Sequence, residues 1–283
     1  MMINVIRKSL ALDFARKPIS RLNLVYPYYM NGEMFVEQQK RWLTFPADIL
    51  EKLRFIIVDD GSPKNPAANF MADDHGRLHI ELYRIEVDIP WNADGARNLG
   101  ALFCINEWMF LSDIDHFLPL DSIKKIFSLE AVSFEYFFLK RLVAQSAWND
   151  MSTLQPSRPH KSTFLIHWAL YWKAGGFNED YSGLYSMGWT FRNKVKKIGR
   201  KRMLDAYVVE FSREVMRDAT TTTLPKPGKE ERANMKKTLR KDRKFRKSIP
   251  ANPLRFPWHK EYSSIRNMGS EAVSRAARTG GGL

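Results

Sequence analysis

Only one cysteine, Cys104, stands among the 283 residues, which excludes an intramolecular disulfide framework and a zinc site built from cysteines. Nor is there a run of about 18 uncharged apolar residues of the kind that crosses a bilayer. The longest apolar stretches, around Trp108–Leu111 and Thr163–Trp172, are too short. Internal repeats are lacking. The first twenty residues carry Arg7, Lys8, Arg16 and Lys17 against Asp13, a weak organelle-targeting pattern without a small-residue cleavage site of the secretory kind, and they read first as a surface extension. These absences suit a protein of a reducing compartment, and the expected location is the cytoplasm.

Acidic residues are scarce in one part of the chain only. From Thr190 to Leu283 there are 25 Lys+Arg and 9 Asp+Glu, whereas the preceding 189 residues hold 20 and 22. A nearly neutral body is therefore followed by a basic section. Such a surplus suits a polyanionic partner, whether nucleic acid, an anionic membrane surface or a phosphorylated ligand, and it equally suits a solvated face that keeps the protein in solution. Hydrophobic residues make up 44% and aromatic residues 13%, enough for a packed core.

Short apolar runs alternate with helical stretches from Leu22 onward. Leu22–Tyr26, Phe55–Val58, Leu78–Ile85 and Trp108–Leu111 read as strands, and Gly32–Trp42 as a helix. A second helix opens at Asp94 and is expected to run to about Glu107. Strands spaced by helices of this length point to βαβ units and a largely parallel sheet. Ala144–Ser162 is polar, carries Pro156 and Pro159, and reads as a loop or lid. Thr163–Trp172 runs into Gly175-Gly176, which can end a short helix. Phe191, Val195 and Ile198 share a helical face, with Arg192, Lys194, Lys196 and Lys197 around it. Lys226–Lys247 is a basic block, and Thr279–Gly282 a flexible tail.

Three segments carry potential chemistry. Asp59-Asp60-Gly61-Ser62 follows an apolar strand, at the carboxyl end where ligands of parallel sheets gather. A carboxylate there can accept from a nucleobase imide or a ribose hydroxyl, although Asp-Asp-Gly is also good turn chemistry. In Asp94–Ala101, Gly95 and Ala96 permit close backbone approach, the helix amino end favours an anion, and Arg97 offers bidentate hydrogen bonds to phosphate. Ser112-Asp113-Ile114-Asp115 follows the next strand. Alternate residues of an extended segment point the same way, so Asp113 and Asp115 are expected to converge on one magnesium or manganese ion.

In that order and spacing, the three segments resemble the nucleotide-sugar-binding half of the GT-A glycosyltransferases, glycosyltransferase family 2 above all. Lys173-Ala174-Gly175-Gly176-Phe177-Asn178-Glu179-Asp180-Tyr181 resembles the family's Gly-Gly-Phe-Asp/Asn-Glu segment on the acceptor side. The resemblance covers about Leu22 to Ile198. It implies an α/β, Rossmann-like GT-A fold: a mixed, mostly parallel sheet flanked by helices, here with a basic C-terminal extension. The implied division is an extension over 1–20, a glycosyltransferase domain over 21–220 (donor half about 21–120, acceptor half about 121–220), and a partly flexible basic extension over 221–283. Tyr26, Asp59, Asp60, Arg97 and Asp113 are implied as nucleotide-sugar-binding residues. The Asp-x-Asp pair Asp113 and Asp115 is implied to hold Mn2+ or Mg2+ at the diphosphate. The donor is expected to be a UDP-sugar, and the acceptor a hydroxyl of a glycan or lipid-linked saccharide.

Inverting members place a catalytic carboxylate shortly after Gly-Gly-Phe. Here the aligned position falls on Met187-Gly188, with no carboxylate. Glu179 or Asp180 is the substitute candidate for the base. Tyr185 and Trp189 are candidates for an acceptor platform, whereas Trp168 and Trp172, at helical spacing, are expected in the core. His116 is a candidate for phosphate or metal, and His160, His167 and His259 are weaker ones. Cys104 is expected to be buried and inert. Two other readings stand: transfer to hydroxylated bases of DNA held by the basic C-terminal region, and a non-catalytic protein that binds sugar nucleotides or polyanions.

Overall fold

Two strands with almost no exposed residue form the centre of the molecule: β2 (Leu22–Tyr28) and β3 (Leu53–Asp59). Burial on both faces is what a parallel strand between two helical layers requires. The structure is a computed structural model. It describes residues 12–73, 76–144, 153–182, 188–211 and 254–264, with isolated positions between 216 and 237.

The short β1 (Lys17–Pro18) precedes these strands and pairs with β7 (Glu130–Ala131). The helices α1 (Gly32–Trp42) and α2 (Ala47–Leu50) join β2 to β3. There follow β4 (Ile80–Ile85), α3 (Ala93–Leu102), β5 (Trp108–Leu111), β6 (His116–Phe117) and α4 (Leu120–Phe127). Beyond these lie β8 (Glu135–Val143), β9 (Gln155–Ser157), β10 (Phe164–His167), α5 (Trp168–Lys173), α6 (Trp189–Ile198), β11 (Arg200–Glu210) and β12 (Trp258–Ser263). One ten-stranded sheet runs β12-β4-β3-β2-β5-β10-β8-β11-β6, with β9 added to β8. β4, β3, β2 and β5 are mutually parallel. β10 then enters antiparallel to both β5 and β8, which makes the sheet mixed.

The two-residue period of the central strands feeds two cores. Leu24, Tyr26, Phe55 and Ile57 face one, with Phe35 and Trp42 of α1. Val25, Ile56 and Val58 face the other, with Ala96 and Leu99 of α3. Trp42 stacks on Phe55 at 4.2 Å between ring centroids; truncating such a ring costs about 3–5 kcal/mol.

Several boundaries differ from the sequence reading. α3 stops at Leu102, because Asn106 takes a left-handed φ of 57° and reverses the chain into β5. The apolar run at 163–172 is two elements, a strand and then a helix, joined where the His167 ring accepts from the Ala169 N–H. The polar stretch before it contains β9. Within the expected C-terminal extension, β12 lies antiparallel to β4 and closes that edge of the sheet. The rest of Lys226–Lys247, apart from a few single positions, and the tail at 279–282 lie outside the described residues, as do the first eleven.

Candidate functional site

The parallel strands end together, and the loops that leave them hold the candidate residues. At the end of β3, the two carboxylates do different work. Asp59 accepts from the backbone N–H groups of Ser62 and Ala67, each at 2.8 Å, and from Arg84 at 3.1 Å. It shapes the loop. Gly61 turns that loop at a φ of 70°, and a Cβ there would stand 2.4 Å from the Val87 carbonyl oxygen. Asp60 is buried and accepts from Asn92 Nδ2 at 2.8 Å. Burial, reinforced by the charges of Asp59 and Asp88, pushes its carboxyl up to about 8.

Arg97 projects from α3 and is buried. Its guanidinium pairs with Asp94 at 3.1 Å and with Asp113, and it lies 5.5 Å from the Phe177 ring centroid. The expected close backbone approach at Gly95 is made by the protein itself. A Cβ there would meet Asn92 Oδ1 at 2.4 Å and the Phe256 ring at 2.8 Å.

The segment after β5 is not the extended run expected from the sequence. The His116 N–H donates to the Asp113 carbonyl oxygen at 3.0 Å, so residues 113–116 form a turn and their alternation is lost. Asp115 therefore sits against His116, 2.5 Å from Nδ1. The groups that converge with Asp113 are His116 and His160, all three offering ligand atoms within 4.8 Å of one another. His160, which sequence reasoning ranked low, arrives from the loop after β9, with Nδ1 3.4 Å from Asp113 Oδ2. With Nδ1 of His116 held by Asp115, its Nε2 is buried with no hydrogen-bond partner among the described residues, the Glu210 carboxylate lying 4.0 Å away. A carboxylate that fixes one imidazole nitrogen and leaves the other without a hydrogen bond is the usual setting of metal-ligating histidines. Burial opposes protonation of His116, but Asp115 and Asp113 outweigh it and raise its pKa. Burial lowers that of His160 and favours the neutral ring.

At the Gly-Gly-Phe segment, Asn98 is the residue whose role the sequence did not disclose. Its Oδ1 accepts from the Tyr171 hydroxyl at 2.6 Å and the Phe177 N–H at 2.9 Å. Its Nδ2 donates to the Phe177 carbonyl at 2.9 Å and to Glu179 Oε1 at 2.8 Å. α3 and the Gly-Gly-Phe segment are thereby fastened together. Glu179 is buried and also accepts from the N–H groups of Leu254, at 2.8 Å, and Arg255, at 3.1 Å. Asp180 is a quarter exposed and pairs with Arg255.

Trp189 opens α6, partly exposed, with its buried indole N–H unpartnered among the described residues. Tyr185 and Met187 lie outside the described residues. Tyr26 is not brought to this group. Its ring is fully buried in the core beside Trp42. Trp168, Trp172 and Cys104 are buried, as expected. His167 and His259 stand apart, the first against Asn106 and the second against Glu86.

Residues 24–135 match the model of a family described as glycosyltransferase like family 2. No curated protein matches this sequence. Among solved structures, residues 1–349 of S. aureus TarS in complex with UDP-GlcNAc superpose with a TM-score of 0.54 at 14% identity, covering 72% of this chain and 62% of that one. The fold is GT-A. The same GT-A core is found in the mannosyltransferase PcManGT from Pyrobaculum calidifontis, in complex with GDP-Man and Mn2+. That match has a TM-score of 0.50 and 16% identity, and covers 74% of this chain and 64% of the other. GalNAc-T7 with UDP, GalNAc and Mn2+ gives 0.51 at 11% identity, over 69% and 44%. The chain thus spans about three fifths of the TarS fragment. Within the GT-A sheet, Asp60, Arg97, Asp113, His116 and His160 lie in or beside the loops beyond the ends of β3, β5 and β9.

Proposed function

We propose that this chain is a metal-dependent glycosyltransferase that moves a sugar from a nucleotide-sugar donor to an acceptor hydroxyl. A UDP-sugar is the first choice of donor, and a glycan or lipid-linked saccharide the first choice of acceptor. The observation that carries the reading is the convergence of Asp113, His116 and His160, with an imidazole nitrogen that makes no hydrogen bond among the described residues, beside the buried guanidinium of Arg97.

Asp60 is the acceptor group for the nucleoside, held in place by Asn92. Asp59 acts through it by fixing the loop. Arg97 faces the diphosphate, its charge balanced by Asp94 and Asp113 until the donor arrives. Asp113, His116 and His160 would hold the cation, with Asp115 orienting His116. Two imidazoles beside one carboxylate favour Mn2+ over Mg2+, which prefers an all-oxygen set. A bound cation supplies charge neutralisation to the departing diphosphate. For the base we favour Asp180 over Glu179, because the Glu179 carboxylate is filled by one side-chain and two backbone donors, whereas Asp180, though paired with Arg255, reaches solvent. Trp189 contributes a face and a free N–H on the acceptor side, and Tyr185 remains its proposed companion.

Thermal stabilisation by a panel of nucleotide sugars, with and without manganese, tests the reading. A donor at 100-fold its Kd adds about 2.7 kcal/mol, so one donor is expected to raise the Tm by roughly 5–10 °C, only with manganese. Asp113→Ala is expected to erase that shift. If no donor stabilises the protein under either condition, the glycosyltransferase reading fails.

A further inference from the structure

We propose that α6 and the start of β11 form a nucleic-acid-binding ridge that runs from the donor site to the opposite end of the sheet. Trp189–Arg202 contain seven cations and no acid: Arg192, Lys194, Lys196, Lys197, Arg200, Lys201 and Arg202. Phe191 and Val195 anchor the helix in the core, which turns Lys196 and Lys197 outward to solvent. Among the described residues no carboxylate pairs with Lys194, Lys196 or Lys197. A merely solvated helix face ordinarily interleaves acids with its bases at i,i+4, and this one does not.

Both ends of the ridge are fixed. At the site end, Arg192 lies in the field of Asp94, the partner of Arg97. At the far end, Arg200 and Arg202, joined by Arg16, converge on the single buried carboxylate of Glu135 at 2.6, 3.1 and 3.3 Å. Three guanidiniums against one carboxylate leave a surplus of positive charge, and each remains about half exposed.

This arrangement fits a row of phosphodiesters. Ten helical residues extend about 15 Å, and the phosphates of one strand advance about 3.4 Å per step, so α6 spans roughly four of them before β11 continues the row. A membrane-binding helix would also present a continuous apolar face outward, and the apolar residues Phe191 and Val195 of α6 are in the core, with only Ile198 and part of Trp189 exposed, at opposite ends of the helix. That the bound polymer carries the acceptor rests on the glycosyltransferase reading. The binding itself does not.

The test is fluorescence anisotropy of the full chain with a labelled DNA oligonucleotide of about 20 nucleotides, single-stranded and duplex, without nucleotide sugar, across a salt series. Binding is expected to weaken linearly in log–log form with salt. The double variant Lys196→Gln/Lys197→Gln should lower the affinity about tenfold or more and reduce the slope by about 1.4–1.8, two phosphate contacts, with its Tm unchanged. Lys196→Arg/Lys197→Arg should retain binding. Wild-type affinity in the glutamine variant overturns the proposal. So does loss of binding only when Lys236 and Lys237 are replaced, or binding to phosphatidylserine vesicles without binding to oligonucleotide. Because the assay contains no donor, failure of the donor reading leaves its result legible.

Discussion

Asp60 holds a carboxyl whose buried setting favours the proton, and this has a measurable sign. Its ordinary value is about 3.9, against about 8 in the fold. Between those limits the folded chain binds more protons than the unfolded one, so this residue subtracts stability as pH rises. Asp60→Asn keeps an oxygen for Asn92 and never ionises. Its Tm should exceed that of the wild type at about pH 8 and approach it at about pH 5. A gain that grows toward acid pH would refute the assignment. His116, whose pKa is also raised, shares that sign, and His160, whose pKa is lowered, has the other. His116 is pushed toward protonation by Asp115, and a metal must displace that proton. Manganese affinity, read by calorimetry, should therefore rise with pH. Asp115→Asn should move the midpoint of that rise downward, and His160→Ala should weaken binding at every pH. At this scale, Asp60, Arg97 and Asp113 could be picked out from the sequence because each follows a readable strand or opens a readable helix. The partnership of Asp113 with His160 could not, because His160 lies 47 positions further on and only the fold of the loop after β9 brings it near.

α3 is an example of an element whose position matters more than its length. Its residue Asn98 makes four hydrogen bonds, three to the Gly-Gly-Phe segment and one to Tyr171 of α5. Asn98→Ala would leave the Phe177 backbone, the Tyr171 hydroxyl and part of Glu179 without partners. At about 1–3 kcal/mol for each buried unsatisfied group, the loss should reach about 3 kcal/mol or more, seen as a Tm lowered by roughly 6 °C or more. A change under 2 °C would show that the segment re-pairs on its own. Gly176 is bound to this contact. At a φ of 64° its Cβ position lies 2.8 Å from Asn98 Oδ1, so alanine there adds a clash to backbone strain. β2, β3 and β5 were legible as short, mainly apolar runs, and α1 because Met34, Phe35 and Trp42 fall on one helical face. Periodicity failed at β10 and α5 because a short run apolar on all sides satisfies strand and helix equally.

Across the whole molecule, charge and topology diverge. The division into a neutral body and a basic end was evident from counting residues. That part of the basic end belongs to the sheet was not, since Trp258–Ser263 has mixed polarity and owes its place to pairing with β4. Trp258 packs edge-on to Tyr83 and Phe103, at 6.1 and 5.6 Å. A chain ended at residue 253 should lose this strand and the two backbone donors to Glu179. We expect a Tm lowered by more than about 5 °C and self-association through the bared β4 edge, visible by light scattering. An unchanged Tm would show β12 to be a passive addition.

The same strand also sets a delay. Glu86 and His259, which meet at its start, are separated by 173 positions. At about 5–20 residues per second of synthesis, roughly 9–35 s pass between the making of β4 and the making of its outer neighbour. During that interval the ribosome-bound chain carries a sheet with an open flank, and companions that shield nascent chains have a defined place and time at which to act.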